Sequence, residues 1–394
     1  MYKCIGCDSS LHKIFSLGNQ PLANKYPNAE TSFDDEFSSE LVVFKCPACN
    51  YSHVPCSVDR SIFFEDYYYL SSVNKELVSH FESLADYLST TDSQFVVDVG
   101  SNDGILLRPL KERGIKCLGV DPSENVGKIA NDQNLETIVS FFDPQTANRV
   151  VESHGRASTI VASSVFTHLA EPLTFFKSCD NLLDDDGIII IEVEYLVDII
   201  KSLGFERFYF DRPHYYTLNT ISRIAEKAGF CVTDCRSISV HGGSIRVICS
   251  RLKDVNKVSP DVNQVIKKEA ELLSDDSISK FFSEFQTSCI QLKNFLLTLS
   301  TQETKVFAYG CPARLSTITN FADIDRTLIP YIVDDSPLKA GRFSPGKHIP
   351  IYSKIIADDE RVSMVFAYEY IESIRNKLKD FNLDFYRPIP LTKL

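Results

Sequence analysis

From Phe95 onward the chain alternates short apolar runs with glycine-marked turns and amphipathic stretches, beginning with FVVDVGSNDGILLRPLKERG and IKCLGVDPSE. An apolar run, a glycine turn, a helix-period segment and a second apolar run predict a βαβ unit with parallel strands. STIVASSV, the helical EPLTFFKSCDNLL and the apolar GIIIIEVE continue the series and predict further elements of one doubly wound sheet. HGGSIRVICS, after the helical TISRIAEKAGF, predicts a late strand. Between Lys253 and about Gln302 lies a long helical stretch with a polar face, a connector whose apolar positions are packing surface. Beyond it the first pattern recurs as KVFAYGCPARLSTITNF and LIPYIVDDSP, with Gly310 and Asp334 standing where Gly100 and Asp121 stood. That recurrence predicts a second Rossmann-like α/β domain, a degenerate duplicate of the first.

Residues 1–60 are different: rich in Cys, Ser and Asn and weak in periodicity, so a metal is expected to order them in place of a large apolar core. The fold expected is therefore α/β in three units: a small metal-ordered domain over 1–65, a Rossmann-like domain over 66–252, and a second Rossmann-like domain over 253–394.

Composition narrows the partners. Acidic residues outnumber basic ones by 53 to 41, for a formal charge of -12, and no block of Lys and Arg is dense enough to hold a phosphate backbone, so nucleic acid is not expected. The longest apolar run, Gly187 to Ile191, meets Glu192 and Glu194 far short of the ~20 residues that span a bilayer. MYKCIGC has neither the charged nor the apolar region of a signal peptide, which leads to the expectation of a soluble cytoplasmic protein with reduced cysteines.

Four of the 12 cysteines fall in two C-x-x-C pairs, Cys4 with Cys7 and Cys46 with Cys49. Four thiolates can close a tetrahedral Zn²⁺ site with no open position, so the role expected is structural. In DVGSNDG, between a strand and a helix, small residues leave room for a ligand near the helix N-terminus. Gly100-x-x-x-Gly104 is not the G-x-G-x-x-G of nicotinamide enzymes, and Asp121 ends the next strand where a carboxylate can accept ribose hydroxyls. Together these favour an adenosyl cofactor, S-adenosylmethionine.

Eight segments in order resemble the sugar C-methyltransferases of deoxysugar pathways, which methylate C3 of nucleotide-linked 4-keto-6-deoxysugars. They are the paired C-x-x-C, SLGNQPLAN, DYYYLSS, VDVGSNDG, ASSVFTHLAEP, HGGSIRV, YGCPAR and VDDSPLKAGRFSPGKHIPI, and they span nearly the whole chain. The resemblance implies a zinc-binding domain over 1–65 with structural zinc, a class I methyltransferase Rossmann-like domain over 66–252 with S-adenosylmethionine at Asp98, Gly100, Asn102, Gly104 and Asp121, and Tyr67 and Tyr69 at the active-site mouth. It also implies that His168 faces the sugar and that the C-terminal domain helps enclose a sugar nucleotide, whose diphosphate Arg314, Lys339, Arg342 and Lys347 are candidates to hold. His241 reads as a turn residue, structural or peripheral.

The family's Tyr-His-Glu-His segment is here Tyr209-Phe210-Asp211-Arg212, so its base falls on an arginine, which cannot accept a proton. Three replacements are open: Tyr209 if a nearby cation lowers its pKa, His168, or His214 from two residues on; Tyr209 with His168 assisting is favoured. Arg212 then steadies an enolate oxygen or pairs with Asp211. The departure also leaves open another methyl acceptor, an epimerisation, or a non-catalytic binding protein. Nothing in the residues fixes the oligomeric state.

Overall fold

The computed structural model describes residues 2–30, 32–63, 70–91, 93–357 and 361–394. Near the N-terminus, strands β1 (His12–Gln20), β2 (Ser39–Lys45) and β3 (Ser52–His53) pair antiparallel. They carry apolar residues into the main core: Phe15, Leu17, Leu41 and Val43 are buried, and the Phe15 ring meets Phe205 and Phe208 edge-on at 5.1 and 5.2 Å. This corrects the expectation of a segment without an apolar core. Two register irregularities in β1, between Lys13 and Phe15 and between Ser16 and Asn19, break the period of two by which the strand would have been recognised.

The middle of the chain supplies β4 (Phe95–Val99), β5 (Lys116–Asp121), β6 (Thr137–Val139), β7 (Ala157–Ser163), β8 (Leu183–Glu194), β9 (His214–Tyr215), β10 (Phe230–Ile238) and β11 (Ser244–Arg251). All but β9 form a seven-stranded sheet in the order β10-β11-β8-β7-β4-β5-β6, with β11 antiparallel to both neighbours. Every residue of β4 is buried, as a strand covered on both faces requires. After β6 the chain returns to place β7 on the free side of β4, so the β4/β7 boundary is a topological switch point, with a ligand crevice beyond the strands' carboxyl ends. The short β9 leaves this sheet to pair with β3, joining the middle of the chain to the N-terminal sheet.

The connector is two helices, Pro260–Leu272 and Asp275–Thr301, the second burying Ile278, Phe285, Leu292, Leu296 and Leu299 at helical spacing. A third sheet follows: β12 (Val306–Tyr309), β13 (Ile332–Val333), β14 (Ile351–Tyr352), β15 (Val362–Val365), β16 (Asp384–Arg387) and β17 (Thr392–Lys393), in the order β14-β13-β12-β15-β16-β17. Its β12/β15 boundary repeats the switch, and the local bonds repeat too. Gly100 N–H donates to Val120 O at 2.7 Å and Gly310 N–H to Val333 O at 2.7 Å. Asp121 accepts from the Asn102 and Ser123 amides at 2.9 Å, and Asp334 from those of Cys311 and Ser336 at 2.6 and 2.9 Å. No helix among the described residues is long and apolar enough to cross a membrane.

Candidate active site

Both C-x-x-C turns close alike: Asp8 N–H donates to Cys4 O and Asn50 N–H to Cys46 O, and Asp8 and Asn50 each sit at φ 60°, the left-handed region that short polar residues tolerate. The turns bring the four sulfurs within 4.8 Å of one another. Zn–S bonds of ~2.3 Å in a tetrahedron put sulfurs about 3.8 Å apart, so the four fit one zinc ion. Cys4 and Cys49 are 3.4 Å apart at sulfur and Cys7 and Cys46 3.5 Å, far beyond the ~2.05 Å of a disulfide. The Ala48 amide points at the Cys46 sulfur and the Thr220 hydroxyl at that of Cys49.

The loop after β4 is knit to its neighbours. Gly100 (φ 75°) and Gly104 (φ 81°) occupy left-handed conformations; a Cβ on Gly100 would meet Val165 at 2.8 Å and one on Gly104 would meet Leu135 at 2.6 Å. Those glycines thus make room for side chains of this chain, a packing reason that the sequence reading gave to a ligand. Asn102 accepts from the Ser71 amide at 3.0 Å, and Asp103 from the Ser72 amide and hydroxyl, so the loop anchors the segment that follows Tyr67 and Tyr69. Those two tyrosines lie outside the described residues. Burial, then Asp121 and Glu192, push the Asp98 carboxyl well above its ordinary value; burial also raises Asp121, whose oxygens already accept two amides.

Beyond the end of β8 lies a chain of charges, Glu194 and Arg207 buried and Arg212, Glu369 and Arg314 partly so. Glu194 pairs with the Arg212 guanidinium and lies 3.8 Å from Arg207; Arg207 is 3.3 Å from Glu369, which pairs with Arg314 at 2.6 Å. Arg212's close carboxylate is therefore Glu194, whereas the sequence offered pairing with Asp211 as one of two roles. Burial opposes the Glu194 charge, but Arg212 and Arg207 outweigh it and hold the carboxyl at about 2. Gly242 and Gly243 of HGGS have positive φ, and a Cβ on Gly242 would strike the Arg207 guanidinium at 2.3 Å, so this motif seats Arg207. His241, read from sequence as structural or peripheral, lies in the field of Glu194, Arg212, Arg207 and Arg314; burial, with the three arginines, holds its imidazole down at about 4 despite Glu194.

The three base candidates are placed differently. Arg212 stacks 4.8 Å over the Tyr209 ring, yet burial outweighs that cation and pushes the Tyr209 phenol up, so the condition set for it as a base is not met. His214 is buried against the N-terminal sheet: Nε2 is 3.3 Å from Ala170 O and so donates, leaving Nδ1 to accept from the Tyr51 hydroxyl at 2.5 Å. Its proton-accepting lone pair is thus committed to Tyr51, which corrects its candidacy. His168 Nδ1 lies 2.8 Å from Asp211 O, an acceptor only, which places the proton on Nδ1 and the lone pair on Nε2.

Of the candidate diphosphate cations, Arg314 pairs with Glu369, Lys339 donates to Cys311 O at 3.0 Å and sits over the Tyr26 ring, Arg342 donates to Tyr26 O at 3.0 Å, and Lys347 pairs with Asp323. Glu194, Arg207 and Glu369 were missed because no motif links residues so distant in sequence. The two consecutive glycines after His241 were the available signal for Arg207.

Three family models match consecutive stretches: a zinc binding domain over residues 4–64, a methyltransferase domain over 69–234, and a C-methyltransferase C-terminal domain over 239–390. C-methyltransferase NovU of Streptomyces niveus is 26% identical over 388 residues, covering 96% of this chain and 92% of that protein. A ubiquinone biosynthesis O-methyltransferase of Caulobacter sp. (strain K31) is 25% identical over 124 residues, 31% of this chain and 49% of the relative. With the sheet order and the four-cysteine cluster, these matches define an S-adenosylmethionine-dependent methyltransferase with an N-terminal zinc-binding domain. Within that class the chain is related to NovU-type C-methyltransferases.

Proposed function

We propose that the protein methylates carbon, at C3 of a nucleotide-linked 4-keto-6-deoxysugar, through an enolate. The observation that carries this reading is the likeness to a C-methyltransferase along 96% of the chain, since the shorter O-methyltransferase likeness leaves out most of it. The sugar comes from the motif resemblance. Asp98, Gly100, Asn102, Gly104 and Asp121, at the ends of β4 and β5, are the residues that would hold S-adenosylmethionine, which would supply an electrophilic methyl group.

The chain's own residues then have to remove a proton and steady an anion. A carbonyl at C4 acidifies the C3 proton, and His168, with its lone pair on Nε2, is the acceptor we assign. Arg212 is permanently charged and largely buried, so it favours negative charge on the enolate oxygen, while Glu194 fixes its orientation. Tyr209, held neutral, does not supply a phenolate base and can donate a hydrogen bond. We assign the zinc a structural role, because four thiolates leave it no open position.

Purified protein, methyl-labelled S-adenosylmethionine and a panel of 4-keto-6-deoxysugar nucleotides in deuterated water test this. Label fixed on a sugar carbon supports the reading. Solvent exchange at C3 without methylation would replace it with epimerisation, and label on oxygen would replace it with O-methylation.

A further inference from the structure

The segment Pro21–Asn28, in the zinc-bearing part of the chain, runs between the carboxyl ends of the two Rossmann-like sheets. Pro21, Leu22, Ala23, Tyr26 and Pro27 are buried, and the turn at 23–24, closed by Lys25 N–H to Leu22 O, carries Asn24. On the C-terminal side the grip is dense: Tyr26 OH donates to Cys311 O at 2.8 Å, Arg342 to Tyr26 O at 3.0 Å, and Phe343 N–H to Pro27 O at 2.9 Å. The Lys339 ammonium sits 5.2 Å over the Tyr26 ring. A segment clamped there and pinned by two prolines loses little freedom on reaching across to the methyltransferase sheet.

What it reaches is Asp211. Asn24 Nδ2 donates to Asp211 Oδ2 at 2.9 Å, and the same residue's carbonyl accepts from His168 Nδ1 at 2.8 Å. Asp211 is therefore held by its side chain from the strap while its backbone holds the imidazole. We infer that Asn24 is a positioning residue: through Asp211 it fixes the tautomer and angle of His168, so the zinc-bearing part of the chain orients the proton acceptor of the methyltransferase domain. The inference rests on the proposed function only for what His168 does, not for how it is held. An imidazole free in water prefers its proton on Nε2, so a His168 held with the proton on Nδ1 is a state the protein must impose, and one that can be read directly.

The test uses the full chain labelled with ¹⁵N-histidine, at alkaline pH where the imidazole is neutral, and assigns His168 by its loss in His168→Asn. The wild type is expected to show the proton on Nδ1. Asn24→Leu, of similar size but without the amide, is expected to shift His168 toward the other tautomer and to lower kcat about 10- to 100-fold with the cofactor KM unchanged. Tyr26→Phe, which cuts a different bond of the same strap, is expected to leave the His168 signal in place. Asn24→Gln, which keeps the donor, is expected to restore part of the Nδ1 population. Cofactor binding and zinc content verify that each variant is folded. An unshifted His168 signal in folded Asn24→Leu overturns the inference, and so does an equal shift in Tyr26→Phe. If no keto-sugar is methylated by the wild type, the proposed function fails while the tautomer measurement still decides the role of Asn24.

Discussion

Glu194, the last residue of β8, places its buried carboxylate against the largely buried guanidinium of Arg212 at the carboxyl end of the methyltransferase sheet. Glu194→Gln removes the charge and leaves Arg212 and Arg207 facing a neutral amide, a change that costs about 3–5 kcal/mol when a buried ion pair is broken from one side. Urea denaturation of the variant at neutral pH is expected to show that loss. The wild type has a pH signature as well. A carboxyl held at about 2 against an ordinary value of 4.5 contributes stability that is present above pH 4.5 and disappears as the pH falls through 2, so the gap between wild type and Glu194→Gln is expected to close on acidification.

The zinc cluster is tied to the methyltransferase domain through Cys49, whose carbonyl accepts from the Thr217 hydroxyl at the start of the helix Leu218–Lys227. The purified chain is expected to carry one zinc per molecule by atomic emission. Cys49→Ser is expected to weaken metal binding by at least about 100-fold, since loss of an outer partner alone costs 10- to 100-fold. It should also expose that helix to proteolysis, and a Cys49→Ser protein that keeps full zinc would remove Cys49 from the ligand set.

What could be read from sequence was what lies close in sequence. The C-x-x-C turns, the glycine loop ending in Gly104, and the strand ends at Asp121 and Asp334 are each complete within a few residues, and the doubly wound order follows from their succession. Asp211 illustrates the opposite case: its partners are Asn24, 187 residues away, and His168, 43 residues away. The pairing of Arg212 with Glu194 also needed the fold, because either carboxylate, Glu194 or Asp211, satisfies the same chemistry on paper. The two-residue β9 is too short to show a period, so the docking of His214 on the N-terminal sheet was illegible, and with it the reason that His214 cannot serve as a base.

Glu269 predicts a pH effect of opposite sign. It projects from the connector helix Pro260–Leu272 to accept from the Leu218 and Asn219 amides and the Tyr195 hydroxyl, capping the helix Leu218–Lys227 from outside. Burial raises its carboxyl to about 7 despite those three donors. A carboxyl raised from 4.5 contributes stability that is full below pH 4.5 and is lost as the pH rises through 7, about 3 kcal/mol for a shift of this size. Glu269→Gln abolishes the titration, so urea midpoints measured from pH 5 to 8 are expected to fall in the wild type relative to the variant.

Tyr209 and His168 are separated by the kind of loss each substitution causes. A buried phenol pushed above its ordinary range stays protonated through the neutral region, so Tyr209→Phe removes at most a hydrogen-bond donor, on the order of tenfold in kcat for a net contribution of about 1 kcal/mol. Proton exchange at C3 in deuterated water is expected to persist in that variant. His168→Asn removes the group whose Nε2 lone pair is oriented by Asp211, and both methylation and exchange are expected to fall by about 10²- to 10⁴-fold, the range general-base catalysis supplies. The reverse pattern, exchange lost in Tyr209→Phe and retained in His168→Asn, would require a phenolate in a buried pocket and would move the base to Tyr209, with Arg212 4.8 Å over its ring as the cation that makes it possible.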